Sequence, residues 1–429
     1  MTGSVSVCNR ADQTGSMKRR IPGSIPKRGS ALGGLYVFKA VLLALALMAV
    51  ALAFLNGLLA SLCGPQFSFT LAGSFALYLA TQPARRELMV TLGLGLALRL
   101  AYGATYGIKP YFGSLVFAFA GFLGISSLLV LAYTAVRWRC LSKFGTAAFF
   151  PFVSIMVGFI LPVTNRLSPA TFDTHLLAAD GAIGFQPSFF LGRLISGRPV
   201  LWNLTSTVYY ALPFAVALLC AVQLGKRPGE VRRLLWLFGL MSAAGFCLYP
   251  VCPATGPIYA FREWFPLRAP DMSGLSLATL SVSGAPRNAI PSLHFSTALL
   301  VFWNTRLLRR PGQIAAGLFL AGTAFAILAL GEHYLTDIVV TLPFSLMIQA
   351  AFSNTTPANS TWRYGALWSS AGLVALWLLI LRFWVQSLAA WSAVTCVAFV
   401  ATVGISIWLR EEMCKNSNVE SSEAHCQIQ

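Results

Sequence analysis

The chain of 429 residues has little charge and still less acid. Only 10% of its residues are charged, and 13 Asp and Glu face 31 Lys and Arg, for a net charge of +18. A soluble domain carries about 25% charged residues, so an ordinary soluble surface is excluded. Histidine is scarce, at four in the whole chain. The nine cysteines form no C-x-x-C pair, which leaves a disulfide framework or a zinc site without its usual spacing. Most of them read as small apolar packing residues. Strand-like alternation and an internal repeat of fixed period are both missing, which removes a transmembrane barrel and a solenoid. Zinc-finger spacing and RNA-binding aromatic motifs are missing too, so the basic excess does not point to nucleic acid.

What is present is apolar. Hydrophobic residues make up 57% of the chain, and the mean hydropathy is +0.70. Apolar runs near the ~20 residues that cross a bilayer recur throughout, and inside a bilayer such runs satisfy their backbone groups as helices. The expected fold is all-α, a polytopic transmembrane helical bundle. Spans are expected at about 35–60, 67–82, 88–106, 111–136, 144–164, 200–224, 234–251, 289–306, 313–331, 335–352, 365–384 and 388–409, or about twelve (10–12) by the length criterion. Residues 1–34 are basic and rich in Gly, Pro and Ser, as in a disordered cytoplasmic tail. Residues 35–140 are read as N-terminal transmembrane helices, 141–352 as a core, 353–410 as a C-terminal hairpin and 411–429 as a second cytoplasmic tail.

Charge tests this topology. With the N-terminus inside, 21 of the 31 Lys and Arg fall in cytoplasmic segments, 8 fall outside, and Lys39 and Arg99 lie within spans. Each strong cluster (Arg85/Arg86, Arg137/Arg139/Lys143, Lys226/Arg227/Arg232/Arg233, Arg306/Arg309/Arg310) lands inside, as the positive-inside rule requires. Two long loops then face outward, 165–199 and 252–289. The stretch 172–183 in the first mixes apolar residues with Asp173, His175 and Asp180, the pattern of an amphipathic helix lying in the interface. The second opens with "YPVCPATGPIYAF", whose prolines argue against a helix, and ends at "RNAIPSLHFS".

That last stretch places Arg287, Ser292 and His294 at the outer start of a span. Pro291 suits a first helical turn, and Ser292 can accept from the open backbone N–H groups there. A helix N-terminus is an anion site, and Arg287 can offer paired donors to a phosphate. At the next outer turn, "LGEHYLTDIVV" holds His333 and Asp337 four residues apart. If a helix begins near His333, both face one side, and Asp337 can accept from the proton-bearing ring nitrogen and set its tautomer. Two histidines, an aspartate and an arginine on one side of the membrane are the parts that phosphoryl transfer needs. Read one by one, each has a plainer role: a satisfied interfacial histidine, a helix cap, a headgroup anchor.

"IPSLHFS" and "GEHYLTD" resemble the second and third motifs of the type-2 phosphatidic acid phosphatase superfamily, P-S-G-H and G-x-H-x-x-x-D. The leucine in P-S-L-H, and the "YPVCPATGPIY" segment, resemble its inositolphosphorylceramide synthase branch. The likeness covers about residues 145–352 and implies a six-helix phosphatase-like core. It implies that His333 is the nucleophile that takes the phosphoryl group, that Asp337 orients it, that His294 is the general acid and later the base, and that Ser292 helps to hold the phosphate. The implied partners are a membrane phospholipid and a lipid hydroxyl acceptor; no metal or other cofactor is implied. Two features depart from the pattern. The first motif, a lysine followed seven residues on by Arg-Pro, is missing: "GRP" at 197–199 has Leu191 where the lysine belongs. The arginine six residues before the third-motif histidine is replaced by Ile327. Arg287 is the expected stand-in for these cations. A catalytically inactive lipid-binding member and a polytopic transporter are the rival readings.

Overall fold

The computed structural model describes residues 65–80, isolated positions between 82 and 158, and residues 160–426 apart from 225–227, 272–276, 307 and 354–359. All of these belong to one compact unit, Leu52–Gln429. The expected spans at 35–60 and 111–136, and most of those at 88–106 and 144–164, lie outside the described residues.

The described chain is helical, as expected of an all-α membrane protein. Helix α1, Pro65–Ala80, is followed by α2 (Asp173–Gly181), α3 (Pro187–Ile195), α4 (Pro199–Tyr210), α5 (Leu212–Leu224) and α6 (Pro228–Leu248). After the long second loop come α7 (Leu293–Trp303), α8 (Arg310–Ala329), α9 (Leu335–Ala351), α10 (Ser360–Leu379), α11 (Val385–Ala390) and α12 (Ser392–Cys426), with a π-helical turn at Ile380–Trp384 between α10 and α11. Among the described residues, four stretches are long and apolar enough to cross a membrane: Gly229–Leu248, Arg310–Ala329, Thr361–Ala390 and Ser392–Lys415. A bent pair, α4 and α5, would make a fifth. Twelve spans are therefore not reached here. The expected span at 200–224 breaks by 50° between Tyr210 and Leu212, just before Pro213, whose missing N–H and ring block helix continuation. The expected span at 289–306 shrinks to the eleven residues of α7, about 16 Å of rise against a hydrocarbon core of about 30 Å.

The outer surface supports a membrane setting. Trp236, Leu318, Trp368 and Val400 are 59%, 70%, 69% and 73% exposed, a pattern that would be costly in water and is ordinary against lipid. Inside, α7 is central, packing on α5, α6, α8 and α9, while α10 and α12 cover the far side of α9. Small and hydroxyl residues bring the helices together. The backbone N–H of Ser292 donates to Thr341 Oγ1 at 2.8 Å and the Ser345 hydroxyl to Ser296 Oγ at 2.9 Å, tying α7 to α9 by bonds each worth about 0.6 kcal/mol in lipid.

The two ends of the bundle differ. At one end, Arg233 reaches Asn304 Oδ1 and the Phe352 carbonyl, Arg363 reaches the Ala350 carbonyl, and Arg410 lies 4.8 Å from the Trp303 ring centre. At the other, both long loops fold together. The strands β1 (Ala170–Thr171) and β2 (Leu280–Ser281) pair antiparallel, and the Phe172 N–H donates to the Pro253 carbonyl. The expected interfacial helix is not interfacial. Every residue of α2 from Asp173 to Asp180 is buried, because its two carboxylates are consumed by donors within the protein rather than by water.

Candidate functional site

His333 follows α8 across a turn in which Gly331 has φ +72°. A side chain there would strike the Phe265 ring, and one at Gly256 (φ +98°) would strike the Glu332 carbonyl. Only glycine lets the two loops close on each other. The N–H groups of Glu332 and His333 both donate to the Ile327 carbonyl, and the Ser188 hydroxyl donates to the His333 carbonyl at 2.7 Å. His333 thus lies in a pinned turn ahead of α9, not on the helix as the four-residue spacing suggested.

Its ring is held at both nitrogens. Nδ1 lies 2.8 Å from the Ala289 carbonyl and 3.3 Å from Asp337 Oδ2. A carbonyl only accepts, so the proton is assigned to Nδ1. Nε2 is then the lone-pair nitrogen, and it accepts from the Ser292 hydroxyl at 3.1 Å. The closer orienting group is the Ala289 carbonyl, with Asp337 flanking it. Asp337 also accepts from the Tyr334 N–H at 2.8 Å, closing the first turn of α9 as a capping box. Burial lowers the His333 pKa to about 4, which keeps the ring neutral, and nucleophilic, through the physiological range.

Ser292 caps α7 and accepts from the Phe295 N–H at 3.3 Å. Pro291 therefore lies ahead of the helix, one position before the cap. His294 stacks on Tyr209 with ring centres 4.2 Å apart and an interplanar angle of 16°. Its ring centre is 6.0 Å from that of His333. It lines a cavity of about 350 Å³ together with Tyr209, Tyr210, Tyr249, Tyr259 and Glu332. The Tyr259 hydroxyl donates to Glu332 Oε1 at 3.2 Å, and burial raises the Glu332 carboxyl to about 7.

Arg287 is used differently from the expectation. It is 1% exposed. Its guanidinium donates to the carbonyls of Ser168, Pro169, Val282 and Ala285 at 2.6–2.9 Å, and its backbone N–H to Thr164 Oγ1. Those acceptors come from both long loops, so the side chain clasps β1 to β2 rather than facing the cavity.

Two residues that matter for geometry were seen in the sequence but not placed at the site. Asp180 accepts from the N–H groups of Leu335 and Thr336 and from the Thr336 hydroxyl, at 2.8, 2.9 and 2.6 Å. Asp173 accepts from the N–H groups of Thr255 and Gly256, the Thr255 hydroxyl and the Tyr334 hydroxyl. Between them they fix the start of α9 and the proline-rich loop around His333. The signal in the sequence is two aspartates seven apart, on one face of a short, largely apolar helix. His175 has no such role; its Nδ1 meets the Thr174 hydroxyl at 3.1 Å.

Residues 174–351 match the family model described as the PAP2 superfamily. The match takes in α2 from Thr174 onward, both histidine motifs and Asp337, and supports the superfamily for this part of the chain. Members of that superfamily are generally phosphatases or phosphotransferases, so the match supports a lipid phosphatase or phosphotransferase kind of function. No curated protein and no solved structure gives a match. Among the described residues there is no group of His, Cys, Asp and Glu able to hold a metal ion.

Proposed function

We propose that the protein is a membrane phosphotransferase that acts on a lipid phosphate ester through a phosphohistidine at His333. The observation that carries this is the fixed His333 ring: Nδ1 is anchored on Ala289 and Asp337, Nε2 faces the Ser292 hydroxyl, and the His294 ring centre lies 6.0 Å away. Nε2 attacks phosphorus, a nitrogen–phosphorus bond forms, and the bond to the leaving oxygen breaks. His294, protonated, gives its proton to that oxygen. It then takes a proton from the acceptor hydroxyl, whose oxygen attacks phosphorus; an oxygen–phosphorus bond forms, the nitrogen–phosphorus bond breaks, and His333 is restored. The Ser292 hydroxyl turns from Nε2 to a phosphoryl oxygen as the substrate enters, and the N-terminus of α7 supplies partial positive charge.

The P-S-L-H motif and the proline-rich loop favour the inositolphosphorylceramide synthase-like type of reaction, in which a phosphorylated headgroup passes to a lipid hydroxyl such as that of a ceramide. The excess of basic residues at one end favours cytoplasmic termini and a site opening outward. An inactive lipid-binding role is the second reading. It is favoured by one feature: no lysine or arginine lines the cavity among the described residues.

The test is turnover of radiolabelled phospholipids by the protein purified in lipid, with and without ceramide or diacylglycerol. Wild type should form an acid-labile labelled intermediate and a new labelled lipid, and His333→Ala should form neither. Equal activity in both proteins would remove the phosphohistidine mechanism, and inactivity of both toward every lipid would leave the binding role.

A further inference from the structure

We infer that the cavity beside His294 is a headgroup site for a cationic amine, so that the phospholipid substrate is a zwitterion with a choline-like or ethanolamine-like head. The inference rests on the phosphotransfer reading for the placement of phosphorus at His333. The headgroup itself is a separate matter, and here the chain would differ from an enzyme that handles inositol.

Three observations carry it. First, the wall is aromatic. Tyr209 and Tyr210 meet edge to face at 5.2 Å, and Phe246 and Tyr249 do so at 5.6 Å. All four line the cavity, as does Tyr259. Edge-to-face pairs turn ring faces in more than one direction, and ring faces attract a cation. Second, the cavity holds a carboxylate, Glu332, whose hydrogen-bond partner is a neutral tyrosine hydroxyl, Tyr259. Third, no lysine or arginine lines the cavity among the described residues, and the nearby Arg287 is spent on four carbonyls.

These three fit one kind of lipid. An anionic head, whether a bare phosphate, glycerol phosphate or inositol phosphate, would bring net negative charge to a carboxylate with no lysine or arginine among the described residues of the cavity to offset it. A zwitterionic head brings its phosphate to His333 and its ammonium to Glu332, and adds no net charge. Burial raises the Glu332 carboxyl to about 7, and a cation seated against it would favour ionisation.

The test uses the purified protein in a maltoside detergent and short-chain phosphatidylcholine, phosphatidylethanolamine, phosphatidylglycerol, phosphatidylinositol and phosphatidic acid. Binding is read by intrinsic fluorescence, and turnover is read separately. Wild type should bind the choline or ethanolamine lipid about tenfold more tightly than the glycerol or inositol lipid, the scale of a desolvated cation–π contact. Glu332→Gln should remove most of that preference, by weakening the choline lipid and tightening the glycerol lipid, and Tyr259→Leu should remove most of it by weakening the choline lipid. His333→Ala should keep the binding preference and lose turnover. Equal or tighter binding of the anionic lipids by wild type overturns the inference, even if turnover depends on His333. Turnover that survives His333→Ala overturns the phosphohistidine reading and leaves the binding series to decide the headgroup. Should one variant misfold, the wild-type series still decides.

Discussion

Replacing Arg287 distinguishes two roles that the sequence alone left together. As a phosphate ligand, Arg287→Ala would weaken substrate binding and leave the fold intact. The structure makes it a clasp: four carbonyls from both long loops converge on one guanidinium that is 1% exposed. Removing it leaves four carbonyls without their donor. A net hydrogen bond to a charged group is worth about 1.5–3 kcal/mol, but bonds to one group do not add in full. The working figure is the cost of leaving several buried carbonyls without a donor, about 1–3 kcal/mol each and less than additive, or about 3–5 kcal/mol in all. Lysine offers one ammonium and no planar fork, so Arg287→Lys should recover less than half of this. The assay is thermal unfolding in detergent, beside phospholipid turnover at saturating and low substrate. Both variants should lower the melting temperature by several degrees, and Arg268→Ala, exposed in the same loop, should not. An unchanged melting temperature with a raised KM for Arg287→Ala would refute the clasp and restore the phosphate role.

Further outcomes follow from the same geometry. Asp180→Ala should leave three donors at the start of α9 without an acceptor, destabilise by about 3 kcal/mol, and speed hydrogen exchange at Leu335 and Thr336; unchanged exchange there would show that Asp180 does not hold the helix start. Tyr209→Leu should free the His294 ring from its stacking partner and lower kcat about tenfold, the cost of loosened positioning, with the phosphohistidine still formed; loss of the intermediate would mean that Tyr209 serves His333 instead. His333, its pKa lowered to about 4 by burial, is neutral above that value, so in the Glu332→Gln background, where the Glu332 titration is removed, kcat/KM should fall on acidification near pH 4 and not near 6.5; a limb at 6.5 there would reject the buried neutral ring. Glu332 ionises as pH rises through about 7. The KM for a choline lipid should therefore fall from pH 6 to pH 8, and Glu332→Gln should flatten that change.

The histidine motifs were legible because their chemistry is local. His333 and Asp337 lie four apart, and Ser292 caps the helix whose first turn holds His294. What holds them was not legible. The Ala289 carbonyl that receives Nδ1 and the Ser188 hydroxyl that pins the turn are 44 and 145 residues from His333, and a backbone acceptor leaves no trace in residue type. Asp173 and Asp180 were visible, but polar residues spaced among apolar ones read equally as a helix wetted on one face or a helix bonded on one face. The spans show the same limit. Pro213 marks the break between α4 and α5, yet an apolar run counted by length passes straight through it. Arg287 has carbonyl partners where its position suggests a phosphate, because phosphate and carbonyl oxygens ask for the same donors.

The missing cations then acquire a consequence. Ile327 stands where the superfamily pattern would put an arginine; its side chain is fully buried, and its carbonyl carries the turn of His333. With Arg287 committed elsewhere, the positive field that the described residues direct at the phosphoryl group once His294 has given up its proton is that of the α7 N-terminus, about half an elementary charge, helped by the Ser292 hydroxyl. Half a charge suits the single negative charge of a phosphodiester far better than the two charges of a phosphomonoester. The same arithmetic that favours a zwitterionic head at Glu332 thus favours diester over monoester at His333. Both agree with the proposed reading, in which the substrate is a phosphodiester lipid rather than a lipid phosphate monoester.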